Sequence, residues 1–333
     1  MEQTPTSHPR PGDPVAIALD AAIRAPSPHN TQPWRFEVDT DRIDILLDTD
    51  RVLAVADRDG REARLSCGAA LLNMQLALRA AGRASVVWLL PDRDRPEHMG
   101  TLLVKGPARP TPEDKALARA IMVRRSNRRP FTDRAVPGWL RTTLVHAARI
   151  EGADLTPLER PAELDMVAAL LRRAEHMQSE DPEFVAELKK WTANGQRRDD
   201  GVPASAGGPR PVPGSLLAPR QYPSGTREER PYERVPFVAV LSSFTDTALA
   251  QVRTGQAMQR VLLTGTASGI SASFLSQPVE IDATRRALTR LLGGRGHPQA
   301  VLRFGYGFTA PATPRRAPEK ITRPRARTEE FSS

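Results

Sequence analysis

Residues 68–82, Gly68-Ala69-Ala70-Leu71-Leu72-Asn73-Met74-Gln75-Leu76-Ala77-Leu78-Arg79-Ala80-Ala81-Gly82, read as one helix, apolar nearly all round. Ser66 is its expected N-cap and Gly82 the left-handed residue that stops it. A second stretch, 255–269 (GQAMQRVLLTGTASG), repeats that length and pattern. Gly68 answers to Gly255, Ala70 to Ala257, Leu71 to Met258, Leu76 to Leu263, Ala80 to Ala267 and Gly82 to Gly269. The register persists past the helices: Pro91 and Pro278 each lie nine residues beyond the closing glycine, and an apolar run follows in each copy, Thr101–Val104 and Ala300–Phe304. Unrelated apolar helices share composition by chance more readily than they share glycine ends and an equally spaced proline. A helix without a polar face belongs in the interior. The two copies are therefore expected to face each other at the centre of a chain built from two related halves, an intrachain imitation of a homodimer.

Working outward, an N-terminal helix is expected over about Pro14–Arg24, then strands at Trp34–Val38 and Ile43–Leu47 paired as a hairpin around Asp39-Thr40-Asp41. Trp34 and Phe36 are expected in the core. Helices follow near Glu113–Arg124, Pro137–Ile150 and Arg160–Trp191, and a strand at Phe237–Leu241 leads into the second copy. Residues 192–235 are rich in Pro, Gly, Ser and Arg and lack periodicity; a connection of that length is a lid, a binding loop or disordered. The mixture defines an α+β protein.

The bulk properties narrow the function. Of 333 residues, 39% are hydrophobic, enough for a real core, and no apolar run is long enough to cross a bilayer. Residues 1–13 form a polar, proline-rich tail without a signal-peptide core, and the single cysteine, Cys67, allows no internal disulfide; both favour a cytoplasmic protein. Cys67 near a helix start invites a lowered thiol pKa, but a small buried packing residue is the better reading. The net charge of +9 raises the possibility of a polyanion or nucleic-acid binder. Against it, lysine occurs only at 105, 115, 189, 190 and 320, the arginines are scattered, and neither zinc-finger spacing nor a base-stacking motif is present, so no specific nucleic-acid or membrane partner is expected. The six histidines share no metal-ligand spacing, and Gly293-Gly294-Arg295-Gly296 is not a dinucleotide fingerprint.

Two stretches carry chemistry. Arg124-Arg125-Ser126-Asn127-Arg128-Arg129-Pro130-Phe131 sets four guanidiniums and a hydroxyl within six residues, donors matched to a phosphate dianion. Ala25-Pro26-Ser27-Pro28-His29-Asn30-Thr31-Gln32-Pro33-Trp34-Arg35-Phe36 is stiffened by three prolines and presents Ser27, Asn30 and Gln32 to the edge of a flat heterocycle. Together they suit an anionic, ring-bearing cofactor. No Ser-His-Asp or Cys-His set accompanies them, so no catalytic side chain is named.

In their order along the chain, these stretches, the 255–280 segment ending in Ser276-Gln277-Pro278-Val279-Glu280, and Arg303-Phe304-Gly305-Tyr306-Gly307 with Thr313-Pro314-Arg315-Arg316 resemble the nitroreductase superfamily of FMN-binding flavoproteins. More narrowly, they resemble its actinobacterial Acg-type members, which fuse two nitroreductase-like halves; the resemblance spans about Pro14 to Pro318. It implies a nitroreductase-like pseudo-dimer with halves at 14–110 and 111–318, the second carrying the 192–235 lid, and tails at 1–13 and 319–333. It also implies one FMN per chain between the halves, with NAD(P)H as a transient hydride donor and an unspecified small-molecule electron acceptor. The chain would be a monomer with internal pseudo-symmetry, further pairing left open.

By the same resemblance, Arg124, Ser126, Arg315 and Arg316 hold the phosphate, Arg125 belongs to the cofactor-binding set, and Arg128 lies by the N1/O2 edge of the isoalloxazine. Pro26, Ser27, Pro28 and Asn30 come across from the first half to line the ring, and Pro278, Val279 and Glu280 run past N5 offering backbone N–H groups. One departure is Pro28, which stands where the family has a second serine and removes a hydroxyl. The resemblance also admits a non-enzymatic FMN store, its flavin covered by the lid.

Overall fold

The computed structural model describes residues 12–193, 198–217, 219–222 and 228–325. Helix α1 (Pro14–Ala22) is capped by the Asp13 side chain and followed by strands β1 (Trp34–Val38) and β2 (Arg42–Leu47). Helix α2 (Arg61–Ala80) leads to β3 (Arg83–Leu89) and β4 (His98–Pro107). Helix α3 (Pro112–Val123) connects the halves, beginning with a capping box in which Thr111 and Asp114 satisfy each other's backbone N–H groups. The second half opens with α4 (Gly138–Ile150) and β5 (Asp154–Pro157). It then departs into α5 (Pro161–Ser179), α6 (Pro182–Lys190) and two parallel two-residue pairs, β6 (Thr192–Ala193) with β7 (Val202–Pro203) and β8 (Arg210–Pro211) with β9 (Glu229–Arg230). It returns through β10 (Phe237–Ser243), α7 (Ala248–Ala267), β11 (Ser271–Phe274), the short turn α8 (Gln277–Glu280), α9 (Asp282–Leu291), β12 (His297–Gly305) and β13 (Thr322–Pro324).

The halves match strand for strand. One sheet has the order β13-β1-β2-β4-β3 and the other β11-β12-β10-β5. With β13 set aside, β1-β2-β4-β3 corresponds to β5-β10-β12-β11, antiparallel throughout. Each half runs helix, two strands, central helix, two strands, and the insertion falls between β5 and β10. The central helices α2 and α7 pack against each other across one continuous core that also takes in Trp34, Phe36, Leu71, Met74 and Val261.

Their contact is reciprocal. A Cβ on Gly68 would lie 1.9 Å from the Val252 carbonyl oxygen, and one on Gly255 would lie 2.0 Å from that of Leu65. Each glycine thus rests on the backbone three residues upstream of the other, which only residues without a Cβ permit. The pairing of Gly68 with Gly255 read from the sequence is the axis of the fold.

Several boundaries differ from the sequence reading. Helix α2 begins at Arg61, so Ser66 lies inside it and donates its hydroxyl to the Glu62 carbonyl; the N-terminal N–H groups of Glu62 and Ala63 are satisfied by the Asp57 carboxylate, at 2.8 Å each. The helix expected over Arg160–Trp191 breaks before Pro182, which cannot continue the hydrogen-bond ladder, and restarts under an Asp181 cap. The tail expected from 319 is ordered through Arg325: β13 runs parallel to β1, and Arg325 Nε reaches Asp44 at 3.1 Å. Cys67 is buried, and burial pushes its thiol up, as a packing residue requires. No described helix is long and apolar enough to cross a membrane.

Candidate functional site

The proline-stiffened stretch forms a tight turn between α1 and β1. His29 (φ 45°), Asn30 (φ 58°) and Gln32 (φ 52°) all adopt the left-handed conformation, which costs about 1–3 kcal/mol per non-glycine residue and persists only where neighbours hold it. The holding bonds are explicit. Ser27 Oγ accepts from the Gln32 N–H at 2.9 Å, and Asn30 Nδ2 donates to the Gly201 and Pro314 carbonyls, both at 3.0 Å. Asn30 Oδ1 accepts from Arg315 Nη1 at 2.7 Å, while Gln32 bridges the Asp199 carbonyl and the Arg316 N–H. Asn30 and Gln32 therefore bind the loop to residues 199–201 and 314–316, and their amides do not present a free edge as the sequence reading had it.

The arginine-rich stretch leaves the end of α3 and is pinned on its far side. Asn127 N–H donates to the Ala272 carbonyl on β11 at 2.8 Å. Arg303, fully buried on β12, donates to the Arg129 carbonyl at 2.8 Å and pairs with Glu233 at 3.0 Å; Glu233 also accepts from the Phe131 N–H.

Around the entrance of this strand gather four guanidiniums, Arg24, Arg124, Arg125 and Arg315. None has a carboxylate partner among the described residues, and the Nε atoms of Arg24, Arg124 and Arg315 are buried without a hydrogen bond. Burial, with Arg125 adding repulsion, lowers Arg124 to about 10. Burial, then Arg124, Arg125 and Arg24, lowers Arg315 to about 9. Unpaired cations held together out of water are unstable unless an anion joins them. Arg316 is not part of this group: its guanidinium turns to Asp48 at 3.5 Å.

Beside the cluster lies a cavity of about 80 Å³ at the junction of the halves. Of the residues read as the site, Pro26, Ser27, Pro28, Ser126, Arg128, Val279 and Glu280 line it; Asn30, Arg124, Arg125, Pro278, Arg315 and Arg316 do not. The N–H groups of Val279 and Glu280 are already bonded to the Ser276 carbonyl, at 2.9 and 3.2 Å, within the α8 turn, and Pro278 has none. They are not the free donors the sequence reading assigned.

Among the lining residues that sequence reasoning missed are His29, Glu62, Arg220 and Tyr222. Arg128 stacks over the Tyr222 ring, 4.7 Å from its centroid, and Tyr222 Oη lies 3.4 Å from His29 Nδ1. Burial, then Arg220 and Arg128, drives the His29 pKa well down, so its imidazole is neutral. Arg220 pairs with Glu280 (Nη1–Oε1 2.9 Å) and with Gln178. The only available signal was the Arg61-Glu62 pair ahead of the helix, and the aperiodic 192–235 stretch gave none for the loop residues.

An α+β fold of two matched halves, with an anion-hungry cluster and a cavity at their junction, is the arrangement the resemblance led one to expect. No family model matches the chain. It is 35% identical over 332 residues to "Putative NAD(P)H nitroreductase Rv3131" of Mycobacterium tuberculosis, covering 93% of each. It is 31% identical over 332 residues to "Putative NAD(P)H nitroreductase acg" of the same organism, covering 95% of this chain and 97% of the other. The chain belongs to this nitroreductase family, in its Acg-type branch. Among solved structures it is similar to a nitroreductase with bound FMN from Desulfitobacterium hafniense (14% identity, TM-score 0.42, 62% of this chain and 97% of that one). Another is a nitroreductase with bound FMN from Bacteroides fragilis (14% identity, TM-score 0.38, 60% and 93%).

Proposed function

We propose that the chain binds one FMN across the junction of its halves and works as an NAD(P)H-dependent oxidoreductase of the nitroreductase type. The observation that carries this is the cluster of Arg24, Arg124, Arg125 and Arg315, with Arg124 buried and the Nε atoms of Arg24, Arg124 and Arg315 shut from water, mutually repelling and without a carboxylate among the described residues, beside a cavity lined from both halves. A phosphate dianion turns that repulsion into attraction, each charge-assisted hydrogen bond contributing about 1.5–3 kcal/mol. Arg124, Arg125 and Arg315 hold the phosphate in this reading, with Arg24 behind them. The hydroxyls of Ser27 and Ser126 and the Arg128 guanidinium face the ring, where a cation favours the negative charge of the reduced state. When bound, the flavin supplies the hydride-accepting and hydride-donating atom.

The phosphate donors fit as they stand. The ring needs more room, because sites for ligands of this size run to about 300–1,000 Å³. Tyr222 occupies part of that space, so ring binding displaces it. The storage alternative has no counterpart among the relatives' names. The test compares FMN with riboflavin, which lacks the phosphate, by quenching of flavin fluorescence. The reading expects FMN to bind about 10-fold or more tighter, with the advantage lost in Arg124→Gln. Equal affinity for the two, or a bound flavin that NADH and NADPH both leave oxidised under anaerobic conditions, overturns it.

A further inference from the structure

The end of the cavity away from the arginines is built from acids. Glu62, on the first turn of α2, and Glu280, on α8, both line it. Asp57 stands just before α2, and from α5 Glu175 meets Gln277 while Gln178 meets Glu280. The facing cations are few. Arg61 touches Glu62 at 2.8 Å but also donates to the Gln299 and Val279 carbonyls. Arg220, from the loop, is committed to Glu280. Arg64 points away to Gln251 and the Asp59 carbonyl.

Arg61 and Arg220 are the guanidiniums bonded to the buried carboxyls Glu62 and Glu280, Arg64 acts on Asp57 through its charge alone, and the carboxyl least held as an anion keeps a proton. The bonding selects which. Burial raises the Asp57 carboxyl to about 6, but both its oxygens accept helix N-terminal N–H groups, and Glu280 holds Arg220 through both oxygens, arrangements that favour the anion at neutral pH. Glu62 has Arg61 on Oε1 alone, and among the described residues no donor reaches its Oε2. Burial first, then the charges of Glu280 and Asp57, raise the Glu62 carboxyl to about 8.

We propose that Glu62 is the acid of this cavity, carrying a proton in the resting protein and giving it to the reducible acceptor as that acceptor takes up hydride. This deepens the reading above and rests on it. NAD(P)H supplies the electron pair. A quinone gains that pair and one proton as hydride, and its second proton comes from the Glu62 O–H, which breaks to leave the carboxylate; the product is the hydroquinone. Water then returns a proton to Glu62. Its side chain is 12% exposed, enough to reach a ligand in the cavity.

The experiment uses the full chain loaded with FMN, reduced anaerobically with NADPH and mixed with 1,4-benzoquinone across a pH series. Reoxidation is expected to slow about tenfold per pH unit above about pH 8. Glu62→Gln is expected to lose that break and reoxidise about 10²–10⁴-fold more slowly. Glu280→Gln removes a repelling charge and is expected to move the break to lower pH. Independently of turnover, the infrared band of a protonated carboxyl is expected near neutral pH in the unaltered chain and absent in Glu62→Gln. A yellow, NADPH-reducible protein in which Glu62→Gln keeps the original rate and pH profile, or which lacks that band, overturns this assignment alone. A chain that takes up no flavin overturns the functional reading and this role with it.

Discussion

Replacing Gly68 by alanine sets two effects of opposite sign against each other. In the interior of a helix, alanine is favoured over glycine by about 1 kcal/mol. Here, however, the added methyl would sit 1.9 Å from the Val252 carbonyl oxygen and 2.9 Å from its carbon, where ordinary contact begins near 3.4 Å. The obstacle is mid-helix backbone of α7 and cannot rotate aside, so the helices must part locally by about 1.5 Å, the difference between 3.4 and 1.9 Å. Inserting a methyl into a packed core costs about 1–3 kcal/mol even where side chains give way, and rigid backbone places this site at the upper end. The net expectation is a loss of about 1–2 kcal/mol, read as a fall in Tm of a few degrees.

Gly255→Ala should behave alike, and the double variant should lose clearly less than the sum, because helices already parted accept the second methyl. Gly138→Ala, where a Cβ meets nothing within 4 Å at the start of α4, should be neutral or stabilising. The assay is differential scanning calorimetry of all four variants. A Gly68→Ala protein more stable than its parent, or a strictly additive double variant, refutes the reciprocal packing.

Arg315→Gln should raise the Tm of the flavin-free chain by relieving repulsion from Arg124 and Arg125. It should also weaken FMN by about 10–100-fold and leave riboflavin nearly untouched; scanning fluorimetry with and without each flavin reads both. Tyr222→Ala should speed FMN association in stopped-flow fluorescence, since its ring and the Arg128 stacked on it occupy the cavity wall. Asp44 accepts from Thr101 Oγ1 at 2.6 Å and Arg42 Nε at 2.9 Å; burial opposes its charge, but bonds from His98, Thr101 and Arg42 win and hold its carboxyl well below the usual range. A lowered folded-state pKa means stability that is full above about pH 4 and lost as pH falls further. The Tm deficit of Asp44→Asn should accordingly be largest near neutral pH and shrink in acid.

What the sequence disclosed, and what it withheld, follows from the range of the interactions involved. The repeat was legible because close helix contact demands glycine at Gly68 and Gly255, and a missing side chain is visible in a string of letters. The arginine cluster was half legible: Arg124 and Arg125 announce themselves as neighbours, but Arg24 joins them only through the fold, and the turn of Arg316 toward Asp48 depends on a residue 268 positions away. The meeting of the acids at the far end of the cavity was not legible, although Glu280 was read as a site residue through its backbone. Glu62, Glu280 and Asp57 lie on separate elements, and nothing in their local patterns marks them as facing one another. The helix start was misplaced for a related reason: Asp57 caps α2 from outside, across a turn, so Ser66 was the nearer and wrong choice. Asn30 and Gln32 were identified as important, but their bonds to residues 199–201 and 314–316 were not legible, since an amide that holds a strained loop and one that reads a ligand look identical in sequence.

Strand β13 carries a consequence for how the protein is made. The edge of the first sheet, beside β1, is supplied by residues 322–324, and Arg315 reaches back to Asn30 shortly before them. Because a ribosome delivers the chain from its beginning, the earliest sheet must wait with an open border until residues 322–324 have been translated. The anion-gathering corner is finished at that same late moment, so a nascent chain stalled short of residue 315 cannot assemble it.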